Sequence, residues 1–255
     1  MSQTIVFEQP LNERVRTLLR LEHLFQKSDH FLAGKTTWDS RSALEALLET
    51  LSVLNRADLK KEYVKEMERH TANLSRLKEV RGVDIAQLEK ILHELSIYSD
   101  QLLSSSGIFG QELRQNELLN SMRQRASIAG GTCDFDLPML HYWLEQPAET
   151  RQYELKTWYQ ALQSVRQSNE LLISLIRKSA IPKNVEAENG FFQESLDSTT
   201  HYQLIRVTLS GEQTLFPEIS AGRHRFTVRF MEPSLTQRPQ QANRNIRFQL
   251  TLCAI

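Results

Sequence analysis

The sequence is poor in the residues that build disulfide frameworks, zinc sites and membrane spans. Only Cys133 and Cys253 are cysteines among 255 residues, too few for a disulfide framework or a four-cysteine zinc site. No apolar stretch reaches the roughly 20 residues that a membrane-spanning helix needs. The N-terminal segment has no basic region followed by an apolar run, so we expect no secretion signal. These absences predict a cytoplasmic protein.

Motifs typical of enzymes are also missing. There is no glycine-rich phosphate loop with a lysine, no dinucleotide fingerprint, no nucleophile elbow and no zinc-binding histidine pair. The best reactive cluster is Cys133 with Asp134, Asp136 and His141, since a thiol beside an imidazole can act as a nucleophile. Its spacing matches no known arrangement, and cysteine is often buried as a small apolar residue. We expect a buried structural Cys133, a core or interface His141, no metal and no cofactor.

The first part of the chain has the apolar period of amphipathic helices. Between Leu11 and about Ala180, apolar residues recur at steps of three and four, so we expect a series of helices. One is expected to begin behind Asp39 or Ser40, another behind Asp58, and a long one to run from about Glu149 to Ser179. We expect these helices to form a mainly helical domain of residues 1–182.

One polar residue, Asn169, interrupts the apolar seam of the long helix. A polar residue in such a seam can fix the register of a coiled-coil dimer at some cost in stability. Packing inside one helical domain produces the same stripe, and we favour that interpretation.

After Pro182 the period changes to two, which is typical of half-buried strands. Phe226, Val228 and Phe230 alternate with polar residues, and a similar alternation covers residues 245–253. We expect an antiparallel β domain of residues 183–255 with one solvent-exposed face. Residues 3–8 are rich in β-formers and are a candidate edge strand of the same sheet. The fold class is therefore α+β.

Charge is balanced overall but not along the chain. The sequence has 31 basic and 31 acidic residues, yet its last 55 residues carry seven arginines against three glutamates. Arg223, Arg225 and Arg229 are separated by even steps, so one continuous strand would place all three on one face. Arg247, on a neighbouring strand, would extend that surface. Such a face suits an extended acidic peptide. The alternatives are a face that only protects the sheet from edge pairing and a nucleic-acid surface, which neutral overall charge disfavours.

Four segments resemble the ZapD family of bacterial cell-division proteins, in order and over nearly the whole chain. They are FEQPLNERVRTLLRLEHLF, RQRASIAGGTCDFDLPMLHYWL, NGFFQ and LFPEISAGRHRFTVRFME. One departure is Ala129, where the family pattern has proline. The resemblance implies a non-enzymatic cytoplasmic homodimer that binds the C-terminal tail of FtsZ and bundles its filaments at the midcell division ring. It also implies that Arg56, Arg225 and Arg229 form the tail site.

Two functions of other classes stay open at this point. One is a small-molecule-binding enzyme or regulator that uses the Cys133–His141 region, and the other is nucleic-acid binding. The resemblance favours the division protein, with Arg56, Arg223, Arg225, Arg229 and Arg247 as partner-binding residues, no nucleic acid and no membrane insertion.

Overall fold

The computed structural model describes residues 4–104, 107–211 and 214–254. They form two compact units. One, the β unit, contains the described residues up to Arg16 together with those from Ile173 onward; the other, the helical unit, is Thr17–Leu172. Helices dominate the N-terminal part and antiparallel strands the C-terminal part. The α+β fold class is confirmed.

The helices each bury one stripe of side chains. In α2, for example, Leu44, Leu47 and Leu51 are buried at steps of three and four. Those that lie in the described residues are α1 (Glu13–Ala33), α2 (Thr37–Val53), α3 (Leu59–Ser75), α4 (Ile85–Ser104), α5 (Glu117–Arg125), α6 (Pro138–Leu144), α7 (Ala148–Gln160) and α8 (Gln163–Lys178). The division between the two units falls inside α1, after Arg16, and inside α8, after Leu172.

Helix α2 begins earlier than the sequence pattern predicts. Thr36 is its N-cap: the Thr36 hydroxyl accepts the Asp39 N–H at 3.0 Å, and the Asp39 carboxylate accepts the Thr36 N–H at 2.9 Å. Asp39 is therefore the third residue of a capping box and not the cap itself. The prediction that α2 begins behind Asp39 or Ser40 was wrong. An acidic residue is favoured both at the N-cap and in the first turn of a helix, and Asp39 occupies the first turn.

The long helix predicted from Glu149 to Ser179 is two helices. The Leu162 N–H donates to the Tyr159 carbonyl oxygen at 3.0 Å, a bond over three residues, and α8 starts at Gln163. This tight turn interrupts the bonding pattern of an α-helix between α7 and α8. Neither glycine nor proline marks it, so the apolar period continues across it without a signal.

Asn169 is fully buried within the helical unit. Its side-chain oxygen accepts the Tyr63 hydroxyl at 2.6 Å, and its amide donates to the Leu18 carbonyl oxygen at 3.1 Å. Both partners lie in the same chain, so the interpretation of the seam as packing within one subunit is confirmed for this residue. Burial around it also raises the pKa of Tyr63, so the phenol stays protonated and keeps donating.

The β unit contains two antiparallel sheets where the sequence predicted one. Sheet A has the strand order β1-β4-β8-β2, and sheet B has β3-β6-β5 with β7 pairing to β6. The strands are β1 (Thr4–Pro10), β2 (Lys183–Ala187), β3 (Phe191–Ser195), β4 (Tyr202–Ser210), β5 (Phe216–Ala221), β6 (Arg225–Glu232), β7 (Gln240–Gln241) and β8 (Ile246–Ala254). The sequence pattern missed the polar strands β2 and β7.

The core of the β unit lies between the two sheets. The rings of Phe230 on sheet B and Phe248 on sheet A pack edge to face, with centroids 4.9 Å apart. Phe226 and Val228 from β6 and Leu250 from β8 belong to the same buried cluster. The side chains that alternate with them therefore point away from the core, each to the outer face of its own sheet.

The N-terminal segment forms the edge strand that the sequence predicts. Strand β1 pairs antiparallel with β4, in a register that runs from Thr4 opposite Ser210 to Pro10 opposite Leu204. Two arginines, described below, also hold Glu8 of this strand. The proline at the end of the strand removes a backbone donor, which suits an edge position.

One end of the outer face of sheet A is covered. The end of α8 lies there: the Cys253 thiol is 3.9 Å from the Arg177 carbonyl oxygen, and the Ala254 N–H donates to the Ser179 hydroxyl. Thr251 and Cys253 are buried as a result. The alternation over residues 245–253 predicts Thr251 on the solvent-exposed face. That prediction was wrong, since local alternation identifies a face but not what covers it.

Glu8 bridges two arginines at this covered end. Its carboxylate accepts bonds from Arg177 at 2.8 and 2.7 Å and from Arg206 at 2.8 Å, and its side chain is 16% exposed. Burial raises the pKa of Glu8, but the hydrogen bonds and charges of Arg177 and Arg206 outweigh it and leave the pKa below its ordinary value. We call Glu8, Arg177 and Arg206 the Glu8 cluster; it ties β1, α8 and β4 together.

Candidate functional site

The outer face of sheet B carries two of the four arginines that the sequence predicts on one cationic surface. Within β6, Phe226, Val228 and Phe230 are buried, whereas Arg225 and Arg229 are exposed. Their neighbours on the same face follow from the strand register. We call this surface the open face of sheet B; it consists of Phe191, Gln193, Ser195, Phe216, Glu218, Ser220, Arg225, Thr227, Arg229 and Met231.

Arg225 and Arg229 are available for a partner. Among the residues that the structure describes, neither side chain takes part in a hydrogen bond or an ion pair. Four residues separate them, which corresponds to about 13 Å along a strand. The one carboxylate directly across from either of them is that of Glu218, opposite Arg229 on β5. Solvated, unpaired guanidinium groups on a flat face can bind carboxylates bidentately without first breaking an internal pair.

Arg223 does not share the strand with them. Strand β6 begins at Arg225, and the Gly222 N–H donates to the Arg225 carbonyl oxygen at 2.9 Å, which closes a turn around Arg223. The argument from even spacing was wrong for this residue, because spacing fixes a face only within a continuous strand. Arg223 lies in the turn that leads into the open face of sheet B.

Arg247 lies on the other sheet. Strand β8 belongs to sheet A and does not neighbour β6, so the expectation that Arg247 extends the same surface was wrong. Arg247 points away from the shared core on the opposite side of the β unit, where its side chain is 90% exposed and 3.2 Å from the Glu186 carboxylate. The local pattern correctly predicted that the Arg247 side chain faces solvent, but not which strands lie beside β8.

Arg56, which the resemblance alone suggested, lies in the helical unit between α2 and α3. Its guanidinium is 3.2 Å from Asp58 and 2.6 Å from Glu62, and its side chain is 39% exposed. The hydrogen bond with Asp58, assisted by Glu62, raises the pKa of Arg56 above its ordinary value. Asp58 forms no side-chain bond as the N-cap of α3. Its carboxylate serves Arg56 instead of the helix end.

The cluster around Cys133 is on the surface. Cys133 is exposed, and so is His141, whose Nδ1 lies 3.5 Å from an Asp134 carboxylate oxygen. The expectations of a buried cysteine and a core histidine were therefore wrong. The residues before α6 form turns. Cys133 therefore lies in no helix or strand that could bury its thiol. Across the described ranges, no group of three or more histidine, cysteine or acidic side chains is placed to hold a metal ion.

Sequence reasoning did not assign Phe191 and Glu218 of the open face of sheet B to the site. Both lie directly opposite Arg229, on β3 and β5. Asn189-Gly190 before β3 is a strong mark of a tight turn, but it does not show that β3 pairs with β6. Glu218 gave no such signal, since only the pairing of β5 with β6 brings it to Arg229.

No helix in the described parts of the chain is long and apolar enough to cross a membrane.

Comparison with known proteins gives a consistent result. The family model described as ZapD, cell division protein, matches residues 19–229. A cell division protein ZapD of Methylococcus capsulatus is 39% identical over 255 residues, covering 100% of both chains. Those of Aromatoleum aromaticum and Dechloromonas aromatica are 39% and 37% identical, each over 98% of this chain and 98% and 99% of their own. The chain therefore belongs to the ZapD family of cell division proteins.

Proposed function

We propose that this protein binds the C-terminal tail of FtsZ and, as a homodimer, cross-links FtsZ filaments at the division site without catalysing a reaction. Membership of the ZapD family supports the role in division. The observation that carries the tail-binding proposal is the pair of exposed, unpaired arginines, Arg225 and Arg229, on one face of sheet B. An acidic tail supplies the carboxylates that this pair does not bond among the residues that the structure describes.

The geometry suits an extended ligand. The two guanidinium groups project about 13 Å apart along one strand, a spacing that carboxylates about four residues apart match in an extended peptide. Each contact is exposed and weak, so one tail binds with modest affinity. A dimer presents two such sites related by symmetry, and binding of the first tail raises the effective concentration of the second. Weak contacts can thereby hold two filaments together.

Arg223 and Arg56 have supporting places in this proposal. Arg223, in the turn before β6, adds positive charge at one end of the open face of sheet B. Arg56 is included because of the family resemblance. Its pairs with Asp58 and Glu62 are partly exposed, and such pairs exchange partners at little cost. Arg247 belongs to the other side of the β unit and is left out of the site.

The test is sedimentation of assembled FtsZ from the same organism with this protein. We expect wild-type protein to pellet FtsZ as bundles, and FtsZ without its tail to stay unbundled. Arg225→Glu/Arg229→Glu should abolish bundling, because both charges on the open face of sheet B are reversed.

The matched control is Arg238→Glu/Arg244→Glu. It makes the same change of charge at two exposed arginines of the β unit that lie outside the open face of sheet B. The control should bundle FtsZ as the wild type does. Normal bundling by a folded Arg225→Glu/Arg229→Glu variant would overturn the site, and bundling of tailless FtsZ would overturn the ligand.

A further inference from the structure

Large apolar side chains lie beside the arginines on the open face of sheet B. Phe191 is directly opposite Arg229 and is 39% exposed. Phe216 lies opposite Met231, one step further along β6, and both are half-buried on the same face. The face thus has an apolar end, formed by these three side chains around Arg229, and a polar end at Arg225.

The position of Phe191 is fixed by the turn before it. Asn189 and Gly190 both have positive φ, 49° and 70°, as a type I′ turn requires, and the Phe191 N–H donates to the Glu188 carbonyl oxygen at 2.9 Å. A Cβ at Gly190 would lie only 2.4 Å from the Ala242 carbonyl oxygen, so the turn packs closely against its neighbour.

The next residue anchors the strand. The Phe192 ring packs against those of Phe226 and Phe248, with centroids 6.1 and 5.4 Å away. Because side chains alternate along a strand, a Phe192 that packs against the core holds Phe191 outward. Phe191 is therefore an exposed aromatic side chain presented from a rigid part of the sheet, where binding orders little that is not already ordered.

We propose that the open face of sheet B recognises two chemical features at once: carboxylates, through Arg225 and Arg229, and a large apolar side chain, through Phe191 with Phe216 and Met231. This inference rests on the proposed function and names the chemistry of its ligand. The bound segment is an acidic peptide that carries an aliphatic or aromatic side chain next to the carboxylate held by Arg229. The arginines select the acidic part of the peptide through charge complementarity, and the adjoining apolar surface selects the apolar side chain beside it.

The two contributions differ in their dependence on salt. Attraction between exposed charges weakens as the Debye length shrinks, from about 10 Å at 0.1 M to about 3 Å at 1 M salt. Apolar contact is not screened in this way. A surface of arginines alone would lose nearly all of its binding at high salt, whereas the two-part surface keeps the share that Phe191 provides.

The experiment measures binding of a labelled FtsZ tail peptide by fluorescence anisotropy at low and high salt. The Phe191→Thr variant keeps a residue suited to a strand and removes the ring. We expect about tenfold weaker binding at both salt concentrations, equivalent to about 1.4 kcal/mol. Arg225→Ser/Arg229→Ser should weaken binding strongly at low salt and by a smaller factor at high salt. Leu235→Thr, which changes a fully exposed leucine outside this face, is the matched control and should bind as the wild type does.

A second measurement does not depend on how the variants fold. The same tail peptide with its large apolar residues replaced by serine keeps its charge, and wild-type protein should bind it about tenfold more weakly than the original. Equal binding of both peptides, together with normal binding by Phe191→Thr, would overturn this inference alone. Normal binding by Arg225→Ser/Arg229→Ser, or no binding of the tail peptide by the wild type, would overturn the proposed function itself.

Discussion

The two sheets of the β unit use their outward-facing arginines in opposite ways. On sheet A, Arg206 is bonded to Glu8, as is Arg177 of α8, and Arg247 lies beside Glu186. On sheet B, Arg225 and Arg229 have no partner within the described residues. Both faces carry guanidinium groups on strands of the same unit. Within the described residues, what separates them is whether a carboxylate is bonded to the guanidinium group.

Burial explains why the arginines of the Glu8 cluster are paired, whereas the Arg247–Glu186 pair is an exposed surface contact. The Glu8 cluster lies where the end of α8 covers sheet A, and a charge removed from water needs a partner in its place. The open face of sheet B is solvated, so an arginine there can remain unpaired at no cost. Pairing in the Glu8 cluster therefore stabilises the fold, whereas the absence of pairing at Arg225 and Arg229 on sheet B leaves binding capacity for a partner. The predictions below test this contrast.

The largest effect is expected from Glu8→Gln. The change keeps the shape of the side chain but leaves Arg177 and Arg206 facing each other without the anion that joins them. Breaking a half-buried network of this kind should lower the free energy of unfolding by about 2 kcal/mol. Urea unfolding followed by circular dichroism measures it. Glu218→Gln, on the solvated face, should stay within about 0.5 kcal/mol of the wild type. Equal stability of both variants would contradict the contrast.

A pH titration tests the same cluster by protonating Glu8 instead of replacing it. Because the pKa of Glu8 is below its ordinary value of 4.5 when the chain is folded, its stabilising effect is fully present above pH 4.5. The effect is lost as the pH falls through the lower folded pKa. Between about pH 5 and pH 3, wild type should therefore lose more stability than Glu8→Gln, by at most the about 2 kcal/mol above. Parallel curves for the two proteins would show that Glu8 is not held as described.

Features that depend on nearby residues were predictable from the sequence. The alternation in β6 placed Arg225 and Arg229 outward and Phe226, Val228 and Phe230 inward, and the structure agrees. The helical period likewise identified the stripes of buried leucines. In each case the information lies within a few residues of one element, where backbone geometry alone decides which side chains share a face.

Features that depend on distant pairing were not predictable. Glu8 meets Arg177 and Arg206 across 169 and 198 residues of sequence, and no local pattern joins them. The assignment of Arg247 to the wrong sheet has the same cause, since alternation in β8 is identical whichever strand lies beside it. Glu218 and Phe191 were not assigned to the site because only the strand register brings them to Arg229.

The third prediction compares one arginine from each sheet. Arg229→Glu should weaken binding of the FtsZ tail peptide by about tenfold, because it places a negative charge within the site. Arg247→Glu makes the same change of charge on sheet A, where it should alter binding by no more than about twofold. Anisotropy at low salt measures both. A similar loss in the two variants would mean that overall charge, and not the open face of sheet B, attracts the tail.

The smallest effect, and the only gain, is expected from Glu218→Gln. Residues directly opposite on antiparallel strands have Cβ atoms about 5 Å apart, so the Glu218 carboxylate lies close to the position where a ligand carboxylate would meet Arg229. Removing its charge should strengthen tail binding by about threefold at low salt and by less at high salt. Glu232→Gln is the matched control. It removes the same charge from the far end of β6, at a position on the face opposite to that of Arg229. If both variants gain equally, Glu218 acts only through net charge. A gain confined to Glu218→Gln would show that the Glu218 carboxylate itself opposes binding of the ligand at Arg229.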